Sequence, residues 1–207
     1  MNQSVATIEQ ELESASATVE ALARALELHD YGRGHLGETA AHTARVTQLA
    51  LALTEPIAPE LILDPQLAYG FRLHDIGMIG VPNSTLTKQE ALTQAEIDEI
   101  REHPWLGERI VAPVPALGGI ARQVIACHHE RWDGRGYPRG LRGAEIPLAA
   151  RIFAVVDAFD SMTHDQAYRG AMTLDAALDE IRRSAGREFD PDVAEAFLAL
   201  ELPSDTL

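Results

Sequence analysis

The sequence predicts an all-α fold, a compact helical bundle with an N-terminal helical extension. Apolar residues recur at helical spacing along most of the chain, and no succession of alternating strands interrupts them. Alanine and leucine carry the apolar positions, with aromatic residues at only 5%, which suits closely packed helices. Glycines, prolines and short polar caps fall between the apolar stretches, where helices start and stop.

The elements follow in order. Residues 8–29 place Leu12, Val19, Leu22, Leu26 and Leu28 in a helical pattern, open between a coiled-coil partner and a strut folded back on the domain. After the glycine break at YGRGH a second helix spans 36–54, and a third runs from Pro59 to the pair His74 and Asp75. GMIGVPNSTLTK is an irregular connection. Thr93 and Glu96 form a capping box that opens a helix over 94–111, followed after Pro113 and Pro115 by one over 117–129. RWDGRGYPRGLRGAEIP is an ordered loop beside a site. Helices over 148–161, 174–184 and 191–200 complete the chain, the last started by Asp190 and Pro191. Residues 1–21 are assigned to the extension and 22–207 to one domain, long enough at 207 residues in all to fold without help from a metal.

Composition narrows the function. Acidic residues outnumber basic ones 32 to 17, and the net charge of -15 opposes binding to a nucleic-acid polymer or an anionic membrane surface. A small anionic substrate stays possible, because bound cations reverse the local field. No apolar run reaches the roughly 18 residues of a membrane span. The first residues, MNQSVATIEQELES, lack the pattern of a secretory signal. The single cysteine, Cys127, excludes an intrachain disulfide, and a cytoplasmic location is expected.

Chemistry concentrates in histidine and aspartate: His35 in RGH, His74 and Asp75 in LHDIG, His103 in EHP, His128 and His129 in CHHE, and Asp157 in VVDAFD. Imidazoles with carboxylates suit iron, manganese, zinc, cobalt or nickel. Neighbouring residues on a helix point about 100° apart, so both members of a pair reach one cluster only near a helix end or inner corner. Asp75 has two oxygens and is the natural bridge between two ions. Asp157 lies in the apolar run RIFAVVDAF, where a carboxylate without a cation is costly.

Each residue also has an ordinary reading. His35 can end a turn, His103 can be a surface residue, and one of His128 and His129 can be a satisfied core histidine. His29, His42 and His164 lack comparable context and stay outside the ligand set. Asp160 is expected to orient a ligand, and Glu130 either orients a histidine or pairs with an arginine. Cys127 reads as a core residue, Trp105 as helix-packing surface, and Trp132 equally as a site wall or not.

In HDIG, HHERWDGRGYP and VVDAFDSMT, standing in this order with His103 between the first two, the chain resembles the HD-GYP family of HD metal-dependent phosphohydrolases over about residues 22–200. The resemblance implies two divalent ions, iron or manganese before other transition metals. One is held by His35, His74, Asp75 and Asp157, the other by Asp75, His103, His128 and His129, with Asp75 the shared, catalytically essential ligand. Members with a third ion carry a glutamate four residues before the first histidine, where Tyr31 stands here.

The implied reaction is hydrolysis of cyclic di-GMP to pGpG or GMP by a metal-activated water. Gly136, Tyr137 and Pro138 form a loop that meets substrate or a signalling protein, with Arg131, Trp132 and Arg169 as further candidate contacts. Met78 replaces the usual lysine after HDIG, Gln166 stands where arginine is common, and Gly37 and Glu38 depart from the usual continuation after the first histidine. These departures keep two alternatives in view: hydrolysis of another nucleotide or phosphate ester, and an inactive metal-binding regulatory or protein-interaction domain. A helical homodimer is a further possibility.

Overall fold

The computed structural model describes residues 2–31, 38–165 and 170–202, and their side chains except those of 2–9, 11, 30, 31, 38 and 39. Among the described residues every regular element is helical, and the sole β-type feature is an isolated bridge between Ala185 and Phe189.

α1 (Asn2–Tyr31) is one unbroken helix, longer at both ends than its apolar pattern suggested. Val19, Ala23 and Leu26 are buried against Leu73, Ile76, Leu117 and Ile125, so the helix folds back on the domain. Leu12 and Leu28 stay exposed. α2 (Glu38–Ile57) packs along α9 (Leu148–Thr163).

Two expected helices are broken. Between Pro59 and Arg72 the chain forms α3 (Pro59–Ile62) and α4 (Pro65–Arg72), because Asp64 and Pro65 start a new helix. The Asp64 carboxylate accepts the Gln66 N–H at 2.9 Å. α4 stops at Arg72, which puts His74 and Asp75 just past its C-terminus, before a 3-10 helix over Ile76–Gly80 and the short α5 (Asn83–Leu86).

The second break divides 94–111 into α6 (Gln94–Arg101) and α7 (His103–Val111). The Thr93–Glu96 capping box forms as expected. Pro104 brings no N–H to the carbonyl of Ile100, and the ring of His103 takes that acceptor instead, at 2.8 Å. α8 (Ile120–Cys127) ends before the histidine pair, and α10 (Leu174–Ser184) and α11 (Pro191–Ala199) close the bundle.

The larger core joins α2, α4, α8, α9, α10 and α11 around Leu49, Leu53, Phe71, Phe153, Phe159 and Phe197. A second contact sets the site: the Ile76–Gly80 turn lies directly on α7. A Cβ on Gly77 would sit 1.9 Å from the carbonyl oxygen of His103, so only glycine permits this approach of Asp75 to His103.

Candidate metal centre

Three histidines reach the site by one device. His74 and His128 stand just past the ends of α4 and α8, and His103 stands at the break before α7. Carbonyls in the last turn of a helix have no partner within it. Each ring uses one: His74 Nδ1 donates to Phe71 O at 2.9 Å, His103 Nδ1 to Ile100 O at 2.8 Å, and His128 Nδ1 to Ile125 O at 3.0 Å. In the neutral form of a ring such a bond fixes the proton on Nδ1, so that Nε2 offers a lone pair to the interior.

The lone pairs converge on Asp75. Its Oδ1 lies 3.2 Å from His103 Nε2 and 3.7 Å from His128 Nε2, while its Oδ2 lies 3.4 Å from His74 Nε2. One carboxylate oxygen thus faces each side, the arrangement expected of a bridge. The Asp75 side chain is 36% exposed, open enough for water and substrate to reach it.

Two groups of donors result, each with its atoms within 4.8 Å of one another: Asp75, His103, His128 and His129, and His42, His74 and Asp157. His103 Nε2 and His128 Nε2 stand only 3.1 Å apart. With both protons committed on the Nδ1 side, two lone pairs oppose each other, and a cation between the rings relieves the repulsion. Together with the hard carboxylates, this donor set fits divalent first-row metals.

The second group corrects the sequence reading. His35 lies outside the described residues, and His42, left outside the ligand set, stands beside Asp157 with Nε2 3.4 Å from Oδ1. Counted from His42, the residue four positions earlier is Glu38 and not Tyr31, so the sequence argument against a third ion falls. The continuation after His42 is Thr43, Ala44 and Arg45, so the departure noted at Gly37 and Glu38 does not apply to it.

Asp160 binds His42 from the side away from Asp157. Its Oδ2 accepts from His42 Nδ1 at 2.7 Å, and Arg45 grips both its oxygens at 2.6 and 2.8 Å. Burial opposes a charged His42 ring, but the hydrogen bonds to Asp157 and Asp160 outweigh it and raise its pKa to about 10. His74 is also raised: burial works against the charge, and Asp75 overcomes it. His128 and His129 go the other way, pushed down by burial and by neighbouring histidines, and stay neutral and ready to ligate. Burial disfavours charge on Asp75 and Asp157, yet the surrounding histidines hold both carboxyls far below the usual range.

The glycine-rich loop forms the rim. Gly136 admits no Cβ, since one would lie 2.3 Å from the Arg131 nitrogen. Tyr137 stacks on His129 with ring centres 4.8 Å apart and lies edge-on to His103 at 6.4 Å. Burial pushes its phenol up, so the hydroxyl stays protonated. Glu130 follows neither expected role: buried at 3%, it accepts the backbone N–H groups of Arg139 and Leu141 at 2.7 and 3.0 Å and ties the loop down.

Arg131 lines the cleft, but its guanidinium is bound by Asp133 and Glu188. Trp132 is not among the cleft-lining residues; it lies under Arg151 instead. Pro138 lines an outer groove. Arg169 and Gln166 lie outside the described residues. Met78 packs into the cluster beneath α1. Cys127 is buried with its thiol raised to about 11, in keeping with a core residue. The cleft encloses about 490 Å³ above His128, His129 and Asp157.

A family model described as the HD domain matches residues 33–193. The chain belongs to the HD-domain family. Within it this is an HD-GYP-like domain: HDIG and the GYP loop meet at one site. It is 39% identical over 168 residues to a cyclic di-GMP phosphodiesterase of Thermotoga maritima, covering 79% of this chain and 45% of that protein. It is 36% identical over 167 residues to 3'3'-cGAMP-specific phosphodiesterase 3 of Vibrio cholerae, covering 79% of this chain and 35% of that one. The chain thus spans less than half the length of these relatives. An HDG"Y"P protein from Bdellovibrio bacteriovorus has the same fold, with a TM-score of 0.64 at 17% identity over 90% of this chain and 63% of that one. Among the described residues no helix is long and apolar enough to cross a membrane.

Proposed function

We propose that this chain is a metal-dependent phosphodiesterase that hydrolyses cyclic di-GMP to pGpG or GMP. The observation that carries the reading is Asp75, whose two oxygens face two separate groups of imidazole and carboxylate donors. His42, His74, Asp75 and Asp157 would hold one divalent ion, and Asp75, His103, His128 and His129 a second; the donors suit first-row metals, and the family resemblance favours iron or manganese among them. When bound, such ions lower the pKa of water and offset charge on phosphate oxygens.

The chain's residues supply the rest. The backbone carbonyls of Phe71, Ile100 and Ile125 hold three rings with Nε2 toward Asp75. Arg45 and Asp160 fix His42 from behind. Tyr137 covers His129 and narrows the approach from solvent. Buried aspartates carry negative charge that cations must neutralise before a phosphodiester can enter.

Relatives that carry the name 3'3'-cGAMP-specific phosphodiesterase favour a second reading, a mixed cyclic dinucleotide as substrate. Incubation of the metal-loaded chain with each dinucleotide, followed by chromatography of the products, decides between them. Linear dinucleotide or mononucleotide at enzymatic turnover supports the reading. No product from folded, metal-loaded protein removes it.

A further inference from the structure

Tyr137 separates two cavities. On one side lies the cleft above His128, His129 and Asp157; on the other an outer groove of about 430 Å³, lined by Trp105, Glu102, Pro138 and Arg139. Arg101 and Tyr137 line both, and together they form the ridge between them. The Arg101 guanidinium lies 5.4 Å from the centre of the Tyr137 ring, which itself stacks on His129 at 4.8 Å. Guanidinium, phenol and imidazole form one stack from the rim to the metal centre.

Two of the four arginines that line these cavities are already engaged. Arg131 is held by Asp133 and Glu188, and Arg139 by Glu108 at 2.6 Å. Arg101 has no carboxylate partner among the described residues; its contact is the Tyr137 ring. An arginine in the last turn of α6 complements the helix dipole wherever it points. The seat across the loop on Tyr137 is more than that role requires, and it presents five N–H donors at the ridge. Arg135 is also free of carboxylates, but it lines the inner cleft alone.

We infer that Arg101 grips the second, non-scissile phosphate of a two-phosphate substrate and so selects cyclic dinucleotides over simple phosphodiesters. The inference rests on the phosphodiesterase reading and adds the residue that sets its substrate class. A cyclic dinucleotide carries two phosphodiesters on opposite sides of its ring. With one above the metal centre, the other must lie away from it, and Arg101 lines both the cleft and the outer groove. A chain of net charge -15 needs a cation there to receive a dianion, and arginine binds phosphate through paired, charge-assisted hydrogen bonds. Met78, partly buried in the cluster beneath α1, is a thioether with no charge to offer a phosphate.

The test compares wild type, Arg101→Met, Arg101→Lys and the charge-matched control Arg183→Met, whose side chain pairs with Glu180 on the exposed face of α10. Each metal-loaded protein is assayed with cyclic di-GMP and with bis(p-nitrophenyl) phosphate, which has one phosphodiester. The expected result is that Arg101→Met lowers the ratio of kcat/KM for the two substrates by about tenfold or more, mainly through KM for the dinucleotide, with Arg101→Lys intermediate and the control ratio at the wild-type value. An equal loss on both substrates, or none on either, overturns the inference. Should wild type turn over neither substrate, the phosphodiesterase reading has failed, and equilibrium dialysis of labelled cyclic di-GMP decides this point separately: weaker binding by Arg101→Met sustains it, and equal or absent binding overturns it.

Discussion

His103 and His128 bring their Nε2 atoms to 3.1 Å while both Nδ1 atoms are bound to backbone carbonyls. With the Nδ1 protons on those carbonyls, the two Nε2 lone pairs oppose each other, and a cation between them relieves the repulsion. Metal-stripped protein is therefore expected to melt at a lower temperature than loaded protein. With free cation at 100 times its dissociation constant the stabilisation is about 2.7 kcal/mol, read from thermal unfolding with and without chelator. An unfolding curve indifferent to manganese or ferrous ion contradicts this.

Asp160 connects Arg45 to His42, so Asp160→Ala leaves a partly buried guanidinium unpaired and the His42 ring unanchored. A loss of about 3 kcal/mol in urea unfolding is expected. Cation affinity at the His42 group should fall about tenfold or more in chelator competition, as for other groups that orient metal ligands. Wild-type affinity in this variant shows that His42 needs no orienting.

The two donor groups are expected to respond differently to pH. With its pKa raised from 6.5 to about 10, His42 is protonated at neutral pH in the metal-free protein. Its contribution to stability is fully present below pH 6.5 and is lost as pH rises through about 10. A cation binding there must displace the proton, so affinity rises with pH across that window and protons are released. His128 and His129 are held below their ordinary values and have no proton to give up at neutral pH. Calorimetry in buffers of different ionisation enthalpy measures the release, and His42→Gln should lower it, with His74, also raised, still contributing.

Gly77→Ala forces the turn over Ile76–Gly80 off α7, because the new methyl meets the His103 carbonyl. Overpacking against backbone costs about 2 kcal/mol or more, and the same shift carries Asp75 away from His103. Lower stability and weaker cation binding are expected together, measured by denaturant unfolding and metal titration.

The motifs that stood in recognisable company were legible. HDIG, HHERWDGRGYP and VVDAFD named five of the donors, and the Thr93–Glu96 cap and the Asp190–Pro191 start fell where the residues placed them. His42 was not, because it lies within an ordinary helix while His35 stood beside a conspicuous glycine break. A usable signal was present: His42 and Arg45 fall three apart on α2, as Asp157 and Asp160 do on α9, and these two polar pairs meet across the bundle. Asp64 and Pro65 carried the start signal read correctly at Asp190 and Pro191, so the break before α4 was legible too. The roles of Glu130 and Arg101 depend on how the loop after His129 closes, which no local pattern records.

If Asp75 joins two cation sites into one hydrolytic centre, turnover of cyclic di-GMP follows the metal as metal-free protein is titrated with manganese or, under anaerobic conditions, ferrous ion. Wild-type activity is expected to saturate at about two ions per chain and to be absent from the folded Asp75→Asn protein. Turnover without added metal, or undiminished turnover in Asp75→Asn, would contradict this.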